Sequence, residues 1–264
     1  MLAISSQVAR GAIGLSATVP ALQALGHEVI ALPTILLSNH PGHPRVAGER
    51  MAPELIARML DTLAANGWLG GIDAVMTGYL PSPEHVAVAR RAVEQVRAAA
   101  PAATYLCDPI LGDEPKGLYI AAEAAEAIRA ELVPLADVLK MNRFEAGWLS
   151  RRAVSDGASA AAGATASGWR TAIVTSLAGR NVASIGNVLI EAGCITADRQ
   201  VAARTIVQKG TGDLLGALWL GHRLHGMTAA AAQARAVEGV ELVLARSVGA
   251  DELQLAACLR ELGA

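Results

Sequence analysis

The residues best placed to do chemistry stand together at Gly210-Thr211-Gly212-Asp213, directly ahead of the apolar run 214–220. Neither glycine carries a Cβ, so a turn built from them can bring backbone against a ligand. A helix opening here aims its free N–H groups and its positive end at one spot. Such a spot holds anions, phosphate above all. A carboxylate there competes with the incoming anion. Asp213 is therefore a candidate to take a proton from a substrate hydroxyl while the Gly210–Gly212 amides hold the phosphate in transfer. The competing reading is a glycine turn with Asp213 as an ordinary helix cap, and the tetrapeptide alone weighs the two equally.

Asp108-Pro109-Ile110-Leu111-Gly112-Asp113 sets two carboxylates around a rigid turn. Mg²⁺ takes oxygen ligands, keeps waters and often shares one or two carboxylates with substrate phosphates, which suits Asp108 and Asp113. Plain turn chemistry also favours Asp and Gly. In Asn142-Arg143-Phe144-Glu145, Asn142 can cap a helix with Glu145 completing a capping box. The same Glu145 could orient metal-bound water. His40 and His43 have metal-ligand spacing, but no third ligand accompanies them and the surroundings are rich in proline, so a structural or substrate-contact role is expected. Cys107 falls within an expected strand and reads as core packing.

These residues need a scaffold, and the pattern of apolar runs supplies one. Strands are expected at 2–5, 28–32, 73–77, 104–107, 137–141 and 171–175. Helices are expected at 16–25, 53–65, 83–100, 121–132 and 157–167, with a short one after Asn142, antiparallel strands across 182–207 and helix through most of the chain beyond 210. Residues 33–52, rich in Pro and Gly, read as a long flap. Alternation of strand and helix implies a mainly parallel sheet covered on both faces, with ligands beyond the carboxyl ends of its strands. Ser6, Gly78-Tyr79, Asp108, Asn142, Thr175-Ser176 and Asp213 all follow a strand or open a helix.

The composition agrees. Hydrophobic residues are 53% of 264 and aromatics only 3%, so a large core must be built from Ala, Val, Leu and Ile. With no repeat or linker-like break, one domain is expected over 1–264. A net charge of −2 without a basic cluster argues against nucleic acid as partner. Three scattered cysteines favour a reducing, cytoplasmic setting over a disulfide framework. No signal peptide or membrane span is read from the sequence.

In order along the chain, these segments resemble the pyridoxal kinase family of the ribokinase-like superfamily. The matching pieces are Ile4-Ser5-Ser6-Gln7-Val8-Ala9-Arg10-Gly11, Leu37-Ser38-Asn39-His40, Met76-Thr77-Gly78-Tyr79, Leu106 to Asp113, Pro134-Leu135-Ala136-Asp137, Asn142 to Glu145, Val174-Thr175-Ser176 and the Gly210 turn. The resemblance implies a three-layer α/β/α fold and transfer of the ATP γ-phosphate to the 5′-hydroxymethyl group of a vitamin B6 vitamer. It implies Asp213 as base, the Gly210 and Gly212 amides as anion hole, and Ser6, His40, Pro41 and Tyr79 around the vitamer. It also implies Asp108, Asn142, Glu145, Thr175, Ser176, Thr211 and Gly212 around ATP, and Mg²⁺ near Asp108, Asp113 and Glu145, partly through water. A homodimer is implied as well.

Several positions depart from the family's pattern. The flap reads Asn39-His40-Pro41 where a threonine usually follows the histidine, and Pro41 brings neither hydroxyl nor backbone donor. His43 and Val46 replace aromatic residues of the flap, and Leu15 replaces a common asparagine. These changes bear on substrate identity. The family's Thr-Pro-Asn appears as Lys140-Met141-Asn142. In relatives that threonine helps hold a monovalent cation near Asp113. The hypothesis drawn is that the Lys140 ammonium takes the cation's place by pairing with Asp113; a solvent-facing lysine is the alternative.

Two other readings stay open. A hydroxymethylpyrimidine kinase shares the fold and the Gly-x-Gly-Asp base, but its glycine-rich loop after the first strand reads Ser5-Ser6-Gln7-Val8 here. A vitamer-binding pseudokinase would accommodate the altered flap, but not the retention of Asp108, Glu145 and Asp213.

Overall fold

The computed structural model describes residues 1–205 and 208–264. The outer end of the expected 182–207 strand region, at 206 and 207, lies outside the described residues. One nine-stranded sheet runs in the order β11-β10-β9-β8-β5-β4-β1-β2-β3. Its parallel centre consists of β1 (Leu2–Val8), β2 (Ile30–Leu37), β4 (Ala74–Thr77), β5 (Thr104–Cys107), β8 (Val138–Asn142) and β9 (Thr171–Ala178). Antiparallel β3 (Gly48–Arg50) closes one edge, and β10 (Ser184–Glu191) with β11 (Cys194–Ala202) extends the other. A small hairpin of β6 (Gly112–Asp113) and β7 (Gly117–Leu118) stands apart.

Side-chain alternation along the strands sorts the core into two layers. Leu2, Ile4, Val75, Tyr105, Cys107, Leu139, Met141 and Val174 face one layer, covered by α2 (Pro53–Ala65), α3 (Pro83–Ala99), α4 (Ala122–Ala127), α5 (Arg143–Ser150) and α6 (Gly157–Ser167). Met76, Leu106, Val138 and Ile173 face the other, covered by α1 (Leu15–Ala24), α7 (Thr211–Leu224), α8 (Ala229–Arg246) and α9 (Leu259–Leu262). Each fully buried leucine contributes about 1.5–3 kcal/mol.

β1 and β9 each run three residues beyond the expected 2–5 and 171–175, and three larger differences bear on the site. The flap is shorter than 33–52, because β2 continues to Leu37 and pairs with β3, leaving 38–47 as the loop. The helix expected at 121–132 is α-helical only over Ala122–Ala127 and widens into a π turn at Ile128–Leu132 ahead of Pro134. Helix also breaks beyond α8, and the irregular stretch 247–254 carries Asp251 and Glu252 toward the flap.

Chain order explains where a site forms. From β1 the chain winds through α1 to β2 on one side, then returns to β4 on β1's other side. The carboxyl ends of β1 and β4 thus flank a switch point, where open α/β sheets take ligands. Ser6 and Gly78-Tyr79 lie there.

Candidate active site

Helix α7 begins where the sequence places its glycine turn. Gly210 sits at φ +101, and a Cβ there would overlap the Ala12 carbonyl oxygen, so glycine is required twice over. The helix has no side-chain cap. Its first-turn amides therefore remain for an anion. Asp213 is in that first turn, facing the Gly14 amide and its own amide. Burial pushes its carboxyl up to about 6, aided by the Asp108 charge and opposed by Lys140 and these amides.

Gly14 also joins Asp213 to the switch point. It sits at φ +53, packed so closely on Ser6 that a Cβ would overlap the Ser6 carbonyl and hydroxyl oxygens. Across the switch point the Tyr79 amide donates to Ser5 Oγ at 3.0 Å, and Thr34 Oγ1 donates to the Tyr79 carbonyl at 2.7 Å. Gly78 leaves no room for a Cβ against Ser5. Ser5 thus links β1 to the Tyr79 backbone, and Gly14 links Ser6 to the start of α7.

Beneath the turn lies a buried polar floor. The register Leu106↔Val138 and Cys107↔Leu139 carries Asp108 alongside Lys140, and alternation turns both toward α7. Lys140 Nζ donates to Asp108 Oδ2 at 2.8 Å. The expected pairing of Lys140 with Asp113 is therefore corrected: Asp113 lies beyond the 108–112 turn, on β6, and has Lys209 Nζ at 3.8 Å instead. Lys140 does not face solvent either, being 5% exposed. Asp108 Oδ1 and Asp113 Oδ1 are buried without a partner.

Asn142 and Glu145 form the full capping box of α5. Asn142 Oδ1 accepts from the Glu145 amide at 3.0 Å, and its Nδ2 donates to the Gly112 carbonyl at 2.7 Å. Glu145 accepts from the amides of Asn142 at 2.7 Å and Leu111 at 2.9 Å, with Gly112 at 3.5 Å. Burial and the Asp108 charge push this carboxyl up to about 7, against Lys140 and the amides. The capping reading of this segment is the one the geometry shows; Glu145 also ties the 111–112 backbone to α5. Thr175 stands opposite Asn142 on β9, and the next residue, Ser176, is exposed at φ +60.

Beside the turn opens a cleft of about 880 Å³, lined in part by His40, His43, Lys116, Lys209, Leu244 and Glu252. Asp213, Ser6 and Tyr79 lie outside its lining. His43 Nε2 donates to Glu252 Oε1 at 2.7 Å and fastens the flap to the 247–254 stretch. His40 Nδ1 accepts from the Gly42 amide at 2.9 Å, and burial with Lys209 and Lys116 nearby lowers its pKa. Pro41 is exposed at the flap tip. Lys209, Lys116 and Glu252 were not singled out from sequence. Lys209 could have been, since a cation directly before a phosphate-holding turn is a signal in itself.

Among the described residues no three His, Cys, Asp or Glu side chains converge on one metal position. Asp108 and Asp113 each keep a buried oxygen without a partner, so either carboxylate could serve a Mg²⁺ ion that keeps waters and phosphate oxygens.

Comparison with known proteins agrees with this geometry. The family model for phosphomethylpyrimidine kinase matches residues 9–255. Pyridoxal kinase PdxY of Deinococcus radiodurans is 33% identical, over 99% of this chain and 92% of the relative. That of Rubrobacter xylanophilus is 34% identical, over 99% and 93%. The structure of Leishmania donovani pyridoxal kinase in complex with ADP and pyridoxamine superposes with a TM-score of 0.92 at 30% identity, covering 99% of this chain and 94% of that one. The three-layer α/β/α fold is shared throughout, and the chain belongs to the pyridoxal kinase family.

Proposed function

We propose that the protein transfers the γ-phosphate of ATP to the 5′-hydroxymethyl group of pyridoxal or a related B6 vitamer. The observation that carries this is the uncapped first turn of α7 with Asp213 inside it, one glycine contact away from Ser6. Relatives at full-length similarity are pyridoxal kinases, and a structural neighbour holds ADP with pyridoxamine.

The vitamer ring lies between Ser6 and Tyr79, covered by His40 and Pro41 of the flap, with its hydroxymethyl group directed at Asp213. Asp213 takes the hydroxyl proton as the oxygen attacks the γ-phosphorus; a carboxyl pushed to about 6 is a stronger base than an ordinary aspartate and still ionised near neutrality. The amides of Gly210, Thr211 and Gly212 hold the phosphoryl oxygens, and ADP departs into the cleft. Thr211, Asn142, Thr175 and Ser176 flank the nucleotide, and Lys209 and Lys116 meet its phosphate tail. Glu145 holds the 111–112 backbone and is placed to orient metal-bound water. Asp108 and Asp113 would hold a Mg²⁺ ion, which would supply countercharge to the phosphates. A homodimer is the assembly expected of this family reading, and light scattering reads it.

Incubation with ATP, Mg²⁺ and a panel of pyridoxal, pyridoxine, pyridoxamine and hydroxymethylpyrimidine, with product identification by mass, tests this. Phosphorylated B6 vitamer as main product is expected. Exclusive phosphorylation of the pyrimidine establishes the second reading, the activity after which the matching family model is named. Binding without product establishes the pseudokinase.

A further inference from the structure

Among the described residues Lys140 is the only lysine or arginine that is buried. The reaction as proposed above leaves it unused. Alternation along β8 turns it toward α7, where its Nζ donates to Asp108 at 2.8 Å. It reaches further than that pair needs. A Cβ on Gly212 would lie 2.6 Å from Nζ, and one on Gly216 would lie 3.7 Å from Cδ. The lysine stem thus runs under the first turn of α7, and only the missing side chain of Gly212 separates its ammonium from that turn.

This position is costly unless an anion shares it. A helix N-terminus already carries positive potential, and an ammonium beneath it adds to that potential. Asp108 pairs with the ammonium, and the Glu145 and Asp213 carboxylates also favour it, while the uncapped amides of the turn keep no side-chain partner. A fixed ammonium, the helix end and uncapped amides together suit a dianionic group resting on the turn. We propose that Lys140 is a positioning residue for phosphoryl transfer, a fixed countercharge that holds the γ-phosphoryl group on the Gly212 turn from below. This rests on the kinase reading. The ammonium does not transfer a proton, and the bonds made and broken are those of the transfer itself. Its charge also opposes the burial that raises Asp213.

Removing Lys140 alone would strand a buried carboxylate, so the test uses Asp108→Asn and the double variant Asp108→Asn/Lys140→Met. In the single variant the ammonium is stranded; in the double, a neutral pair of similar volume replaces it, and the melting temperature rises relative to the single. A purely structural lysine then makes the double variant at least as active as the single. The proposal expects the reverse: higher melting temperature, but kcat about ten-fold lower or more, with KM for pyridoxal within about two-fold. Nucleotide affinity by calorimetry supplies a readout that needs no turnover. The preference for a non-hydrolysable ATP analogue over ADP, both with Mg²⁺, should fall about ten-fold from single to double variant. An unchanged preference overturns the proposal whatever the rates. Failure of the native protein to phosphorylate any vitamer or pyrimidine overturns the kinase reading instead.

Discussion

The first turn of α7 and the floor beneath it are both rich in groups that could hold a phosphate or a metal, yet they are used differently. At the turn the helix has no side-chain cap, and Asp213 faces backbone amides, those of Gly14 and its own residue, beside the charges of Asp108 and Lys140. On the floor Asp108 is paired with Lys140, Asn142 uses both ends of its amide, and Glu145 takes backbone amides from two segments. Backbone donors left without a side-chain cap at the half-buried start of a helix are free to meet an anion. The Asn142–Glu145 capping box, whose members satisfy one another, marks scaffold, while Asp108 and Asp113 each keep one buried oxygen without a partner. Loss of the Asp213 carboxyl at the turn should therefore cost rate, and substitutions in the capping box should cost stability.

The largest separation is expected for Asp213→Asn, whose turnover should fall about 10²–10⁴-fold. Its stability should move the other way. A carboxyl raised from 3.8 to about 6 in the folded protein destabilises it increasingly as pH rises through that window. The asparagine variant should therefore melt higher than the native protein at pH above about 6, and the gain should shrink toward pH 4. Thermal melts across that range check the sign.

Two glycines sharpen the comparison within the turn. Gly210→Ala forces a side chain into φ +101 against the Ala12 carbonyl, so denaturant melts should show a loss of about 2 kcal/mol or more. Gly212→Ala meets only the flexible end of Lys140, so the fold should survive. Its ammonium is displaced, and kcat should drop about ten- to hundred-fold. Asn142→Ala removes a cap and the tie to Gly112; about 1–2 kcal/mol of stability should go, with a rate loss well below that of Asp213→Asn. Equal rate losses at Asn142 and Asp213 would dissolve the distinction between turn and floor. The smallest effect is expected for His43→Ala, which unfastens a partly exposed flap contact: KM for ATP should rise roughly two- to five-fold with kcat nearly unchanged.

Much of this was legible in the sequence because it depends on neighbours along the chain. The helix start at Gly210, the capping box at Asn142 and the strand end before Gly78-Tyr79 are local patterns, and the resemblance orders them; β1, by contrast, runs on through Ser6 to Val8. The Lys140 partner was not read correctly, because it depends on strand register. Counting alternation from Leu106 and Val138 would have put Asp108 and Lys140 on one face, and Asp113 beyond the turn. Glu252 is a case of another kind. It meets His43 across most of the chain, from a stretch that the apolar pattern assigned to helix. The flap was overdrawn because Pro33 and Ser38 mask a strand that β3 completes as an edge hairpin, where proline is tolerated.

The central claim is that Asp213 is the base at the turn, and kcat against pH for the native protein beside Asp213→Asn tests it most directly. The native rate should fall on the acid side through about 6, as the base is protonated, and the variant's residual rate should lack that limb. A limb from Glu145, raised to about 7, would appear in both proteins and so cannot mimic the result. An Asp213→Asn variant with native kcat, or with the native limb intact, would contradict the account.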